Sequence, residues 1–190
     1  MLELLAGSPA AFIAVAAAVG LIVGSFLNVV IYRLPIMLER QWRADCAEPT
    51  DPAASPAPVQ RDPPFNLAVP RSICPACSAP VKGIHNIPVL SYLALRGRCA
   101  SCHARISARY PAVELLCGIA TALVAWRFGF GWPALCAAVV TWFLIPLAGI
   151  DLDQQLLPDS LTGPLLWLGL LASLSGWAAP DHGLAVSHSL

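Results

Sequence analysis

Apolar positions along this chain fall into long uninterrupted runs rather than into alternating or three-to-four-residue patterns. The first run extends from about Ala10 to Ile31, and three more cover roughly Pro111 to Trp126, Trp132 to Ile150 and Leu161 to Trp177. A helix crossing the hydrocarbon core needs about 20 apolar residues, so each run reads as a candidate span. Between the first and second runs lies different material. Leu34 to Arg43 predicts a short amphipathic helix along the membrane surface. Beyond Glu48, Pro49, Pro52, Pro56, Pro58, Pro63 and Pro64 interrupt any periodicity and predict an irregular loop. The pattern therefore predicts an all-α polytopic membrane protein with about four transmembrane helices and a small cytoplasmic insert. Its divisions are 1–33 (first helix), 34–109 (insert), 110–180 (three helices) and 181–190 (tail).

Two local readings compete at the ends of these runs. A cleaved signal peptide would need a basic n-region and a short apolar core. Here Glu3 precedes a long run and Arg33 follows it, which predicts a retained helix. The turn Arg127-Phe128-Gly129-Phe130-Gly131 joins two spans with aromatics suited to a membrane interface. Ahead of the last run, Asp159 or Ser160 is placed to cap a helix start.

Composition supports the membrane reading: 57% of residues are hydrophobic, 12% are charged and mean hydropathy is +0.69. A soluble domain is nearer a quarter charged. Net charge is zero, which leaves no electrostatic argument for nucleic acid as a partner. Distribution says more than the sum. Ten of the eleven Lys and Arg lie between Arg33 and Arg109. By the positive-inside rule that insert is cytoplasmic, and counting spans forward returns Asp151 to Asp159 to the same face.

Seven cysteines are present. Four are paired as Cys74-Pro-Ala-Cys77 and Cys99-Ala-Ser-Cys102, while Cys117 and Cys136 sit in apolar runs and Cys46 stands alone. Two such knuckles present four thiolates, the tetrahedral shell that structural zinc prefers, and predict a zinc site of Cys74, Cys77, Cys99 and Cys102. His103 adjoins the second pair as a competing ligand, but four cysteines already close the shell. The alternative is a pair of redox motifs; these usually occur singly beside a βαβ pattern, which is absent.

Three carboxylates cluster in Gly149-Ile-Asp151-Leu-Asp153-Gln-Gln-Leu-Leu-Pro158-Asp159. Asp153 reads as solvated and Asp159 as a helix cap. Asp151 directly ends an apolar span, where a desolvated carboxylate is costly and often functional. Glu114, one turn inside the second span, reads equally as a partner of Arg109 or as part of a cleft. Asn28 reads as a hydrogen bond across helices, and Arg33 and Arg109 as headgroup anchors.

These blocks together resemble the type IV prepilin peptidases of bacterial inner membranes. The resemblance is carried by Gly24-Ser-Phe-Leu-Asn-Val-Val-Ile-Tyr-Arg-Leu-Pro35, the cysteine pairs, Asn86-Ile-Pro-Val-Leu-Ser-Tyr92, Leu95-Arg-Gly-Arg-Cys99, Ile106-Ser-Ala-Arg-Tyr-Pro-Ala-Val-Glu114 and Ile150-Asp-Leu-Asp-Gln-Gln-Leu-Leu-Pro-Asp159. It implies a multi-pass inner-membrane aspartic endopeptidase whose partners are the leader peptides of type IV prepilins and type II secretion pseudopilins. It further implies methylation of the new N-terminus with S-adenosylmethionine, although no Gly-rich Rossmann fingerprint supports that independently. Asp151 would be the first catalytic aspartate. The family's second aspartate closes a Gly-x-Gly-Asp motif, which these 190 residues lack, and Asp181 lacks the glycines. The chain thus looks C-terminally truncated against the family, and the expectation is that it has no peptidase activity alone; cleavage of a prepilin by the purified chain would contradict this. A non-catalytic membrane scaffold, its zinc knuckle recruiting a cytoplasmic partner, is the reading from another class. A transporter fragment lacks the paired half-helices it would need.

Overall fold

The computed structural model describes residues 7–46, 65–69, 73–74, 76–81 and 87–174. Among the described residues five helices carry the fold: α1 Pro9–Cys46, α2 Leu90–Ala94, α3 Arg109–Phe128, α4 Trp132–Gln154 and α5 Asp159–Leu174. Among the described residues the only extended pairing is two isolated bridges, Ile73 with Pro80 and Arg98 with Arg105. Three helices, α1, α3 and α4, are long and apolar enough to cross a membrane. Where the fourth span is expected lies the shorter apolar helix α5, 16 residues long, which falls short of the length of the three candidate spans; its expected end at Trp177 lies outside the described residues. The proline-rich loop after Glu48, the 1–6 segment and the tail also lie outside them.

The expected surface helix at Leu34 to Arg43 is corrected. It is the continuation of α1, which runs unbroken for 38 residues with Pro35 inside it. At 1.5 Å per residue that is about 57 Å, nearly twice the hydrocarbon thickness. Pro35 removes only its own amide bond to the Ile31 carbonyl. Beyond it, Arg43 donates to Glu39 at 2.5 Å, one turn back, a pairing that supports an exposed helix by a few tenths of a kcal/mol, about 0.3–0.5.

The bundle is held by close backbone approach. Gly20 and Gly24 face α3 so tightly that a Cβ on Gly20 would lie 2.6 Å from Thr121 Oγ1, and one on Gly24 would lie 2.9 Å from the Glu114 Cα. Gly118 receives Leu21 in return, 2.8 Å from where its Cβ would be. Small residues four apart let helices meet where lipid removes the ordinary hydrophobic drive. That seam also carries polar links. Asn28 donates to the Tyr110 carbonyl at 3.0 Å, and Trp142 Nε1 on α4 donates to Thr121 Oγ1 at 3.0 Å. Leu27, Val30, Ile31, Cys117, Leu147 and Ile150 fill the interior. Outward faces are apolar as well: Ile22, Phe26, Leu123 and Leu144 are exposed, as expected for helices solvated by lipid.

Gly24→Leu is therefore expected to lower the stability of the detergent-solubilised protein by about 1–3 kcal/mol or more, through overpacking against backbone. Gly163→Ala, where nothing lies within 4 Å, is expected to gain up to about 1 kcal/mol of helix propensity instead. Thermal unfolding of the two variants against the parent checks the contrast.

The ends of the helices fix the topology. Phe12, near the start of α1, makes an edge-to-face contact with Phe130 in the α3–α4 turn, ring centroids 5.3 Å apart. At the opposite end Arg109, opening α3, reaches the last turns of α4. The insert between α1 and α3 and the Asp151–Asp159 hairpin thus share one end of the bundle.

Candidate functional site

Two elements occupy that end, a cysteine cluster and a carboxylate hairpin. The cluster is built from two copies of one turn. In the first, Cys74 N–H donates to the Ala79 carbonyl at 2.9 Å and Ser78 N–H to the Cys74 carbonyl at 2.8 Å. In the second, Cys99 N–H donates to the Ala104 carbonyl at 2.9 Å and His103 N–H to the Cys99 carbonyl at 3.0 Å. Ser78 and His103 hold equivalent left-handed corners, φ 56° and 58°. Each turn folds its second cysteine back beside its first.

The four sulfurs of Cys74, Cys77, Cys99 and Cys102 lie within 4.8 Å of one another. Cys74 and Cys102 Sγ are 3.8 Å apart. Zinc–sulfur bonds of about 2.3 Å in a tetrahedron require sulfur separations of about 3.8 Å, so this donor set fits a divalent thiophilic cation. The thiols also differ in acidity. Backbone N–H groups of Cys102 and Ser101 hold the Cys99 thiol down to about 6. At Cys77 the Ala79 N–H lowers the value, but hydrogen bonds shared with Cys102, Cys74 and Cys99, with some desolvation, push it up to about 11. Four crowded thiols share protons in this way until a cation balances the thiolates, the form that binds metal.

His103 stands outside the cluster. Its role is the left-handed corner, a conformation that costs a residue with a Cβ roughly 1 kcal/mol. His103→Gly is expected to raise stability by about that amount and leave metal content unchanged. Metal quantification with thermal unfolding checks both, and loss of metal would make His103 a ligand.

The hairpin begins where α4 ends. Gln155 takes the left-handed position, φ 52°, and its N–H bonds the Asp151 carbonyl at 2.8 Å, closing the helix as an αL cap. Asp151 and Asp153 fall in the last turn, where unsatisfied carbonyls make carboxylates unfavourable. Arg109 offsets part of this: its Nη2 is 2.6 Å from Asp153 Oδ2 and 3.4 Å from the Gly149 carbonyl. Both partners are partly exposed, so the pair adds about 1 kcal/mol at most. Its value is positional, since it registers the start of α3 against the end of α4. Residues two apart on a helix point to opposite sides. Asp153 is thereby turned to α3, while Asp151 is exposed on a different face.

Several single-residue expectations are corrected here. Asp153 is paired with Arg109 rather than simply solvated. Asp151 is not buried by the protein itself. Arg33 is buried, donating to the Asn66 carbonyl at 2.9 Å, and its guanidinium lies 5.7 Å from the Phe65 ring centroid. It anchors the insert to α1 rather than reaching headgroups. Glu114, also buried, accepts the Val89 N–H at 2.7 Å instead of meeting Arg109. Val89 has φ 59°, a costly conformation for a β-branched residue, and the Glu114 carboxylate secures it. Asp159 is the first residue of α5, where its charge suits the positive helix end. Asn28 does bond across helices as expected. Sequence reasoning missed the Gly20 and Gly24 seam, although the four-residue spacing of small residues was there to be read, and missed the Arg109–Asp153 pair, which has no local signal.

Residues 18–128 match the Bacterial Peptidase A24 N-terminal domain, and residues 138–188 match the Type IV leader peptidase family. A protein of Stutzerimonas stutzeri named prepilin leader peptidase/N-methyltransferase is 51% identical over 174 residues, covering 92% of this chain and 59% of that relative. A protein of the same name from Aeromonas hydrophila is 51% identical over 176 residues, covering 93% and 60%. One from Pseudomonas aeruginosa is 47% identical over 185 residues, covering 97% and 62%. The chain spans about three fifths of the length of these curated relatives. No solved structure matches.

Proposed function

This chain belongs to the bacterial peptidase A24 family, and from that premise we propose that it supplies one of the two catalytic carboxylates of a membrane aspartic endopeptidase that removes the leader peptides of type IV prepilins and type II secretion pseudopilins. The observation that carries the proposal is the state of the two carboxylates ending α4. Both are exposed, but Asp153 is engaged by Arg109, whereas Asp151, one helical face away, has no ion pair among the described residues.

Aspartic proteolysis uses two carboxylates sharing a proton. One, as base, takes a proton from the attacking water; the other protonates the carbonyl oxygen or the leaving amine. Asp151 is assigned as one of them. Its partner, by family resemblance, closes a Gly-x-Gly-Asp motif that the 190 residues do not contain. Arg109 and Asp153 hold the helix end in register, so Asp151 stays at a defined height against the bundle.

Cys74, Cys77, Cys99 and Cys102 are assigned as ligands of a structural zinc, which would supply folding energy to the insert and leave no open position for chemistry. The insert and Asp151 are proposed to face the cytoplasm of a bacterial inner membrane, on the concentration of Lys and Arg between the first two spans. Methylation of the new N-terminus with S-adenosylmethionine follows the relatives' names and carries no residue assignment. The test is cleavage of a prepilin by membranes carrying the complete reading frame: release of the leader is expected, and intact prepilin would sink the proposal.

A further inference from the structure

Beside the cysteine cluster, the described part of the insert carries exposed basic and apolar side chains that neither hold a metal nor meet the α4 carboxylates. From Pro63 to Val113 the sequence holds Arg71, Lys82, Arg96, Arg98, Arg105 and Arg109 and no Asp or Glu at all. Arg96, Arg98 and Arg105 are exposed, and among the described residues no carboxylate pairs with them. Arg96, Arg98 and His103 share a cavity of about 460 Å³ with Ala94, Leu95 and Cys99.

Directly before that cavity, Ile87, Leu90 and Leu93 recur every third residue on and beside α2. They are 44%, 65% and 65% exposed. The segment is not a loose loop. Glu114, in the second turn of α3, accepts the Val89 N–H, and Tyr92 packs its ring under the Gly97 turn, 2.8 Å from where a Cβ would be. The apolar triad is thus tied to the first turns of a candidate span, and the ends of a helix that crosses a bilayer lie at the headgroups. An apolar edge beside an acid-free cluster of arginines, fixed at that height, complements one surface. We propose that the insert docks back onto the anionic lipid surface of its own membrane, with Ile87, Leu90 and Leu93 entering the interface and Arg96, Arg98 and Arg105 meeting lipid phosphates.

The chemistry agrees on each side. Amphipathic segments bind interfaces through buried apolar side chains plus attraction to anionic lipids, and basic residues near such a surface each add to the attraction. Docking would hold the cysteine module flat beside the end of α4. The inference does not depend on the peptidase reading, because it uses only the spans, the charge and the exposed residues.

The experiment places the full chain in nanodiscs of phosphatidylcholine alone or with phosphatidylglycerol, and follows hydrogen exchange of residues 87–99. Anionic lipid is expected to slow exchange there by about tenfold. Arg96→Gln with Arg98→Gln, and separately Leu90→Ser with Leu93→Ser, are expected to abolish most of the slowing, while metal content equal to the parent shows that the module remains folded. Equal exchange in both lipids would overturn the proposal. So would slowing in phosphatidylcholine on adding inorganic phosphate, which would make the cavity a free-anion site, or on adding a leader peptide, which would make the face a substrate surface.

Discussion

Asp151→Asn, in the complete reading frame, is expected to slow leader cleavage by about 10²–10⁴-fold, the usual contribution of one positioned acid or base. The loss should appear in kcat with KM little changed, since Asp151 as assigned would act on reacting atoms, and, exposed at the end of α4, it holds no part of the bundle together. Asp153→Asn provides the contrast. It loses the 2.6 Å pair with Arg109 but keeps Asp151, so the expected effect is smaller and shared with Arg109→Gln. Steady-state kinetics on the three variants separates a catalytic carboxylate from one that positions a helix.

Replacing Cys74 and Cys99 together by serine is expected to abolish zinc retention and unfold the insert. Structural zinc binds small modules with apparent free energies of about 10–16 kcal/mol, and that binding energy is folding energy. The two turns are short, each held by two backbone hydrogen bonds, and bury little apolar surface of their own; Cys77, Ser78 and Cys102 are exposed. Removing one ligand from each turn leaves no closed shell. Zinc quantification, with hydrogen exchange across residues 73–81 and 98–105, checks both consequences. Full metal content in the double variant would remove these cysteines from the site.

The parts of this architecture legible in the sequence are those with a local signal. Apolar runs near 20 residues located three spans because length alone decides whether a helix can cross lipid. The cysteine quartet was legible because two-residue spacing is itself the turn that aims both thiolates. The continuation of α1 past Arg33 was not legible, because nothing local shows that the helix runs on through Pro35, with Arg33 just ahead of that proline bonded to the Asn66 carbonyl. One helix places Arg109 close to Glu114, which made their pairing one of two readings open in the sequence. The partner Arg109 finds is Asp153, brought up only when α4 folds back beside α3. For the same reason Asp151 and Asp153 were distinguishable only by position, and their opposite facing became visible once α3 lay against α4. The close seam at Gly20 and Gly24 shows the limit well. The spacing hinted at a contact, but which helix it would meet depended on Thr121, Cys117 and Glu114 about a hundred residues on.

The most direct measurement is the mass of a prepilin recovered from membranes that carry the complete reading frame, either unaltered or with Asp151→Asn as its one change. A leaderless pilin is expected from the first and, at reaction times just long enough for the first to finish, full-length prepilin from the second, with equal amounts of enzyme and equal zinc in both. Leaderless product formed by the Asp151→Asn membranes as fast as by the unaltered ones would contradict Asp151's assigned role.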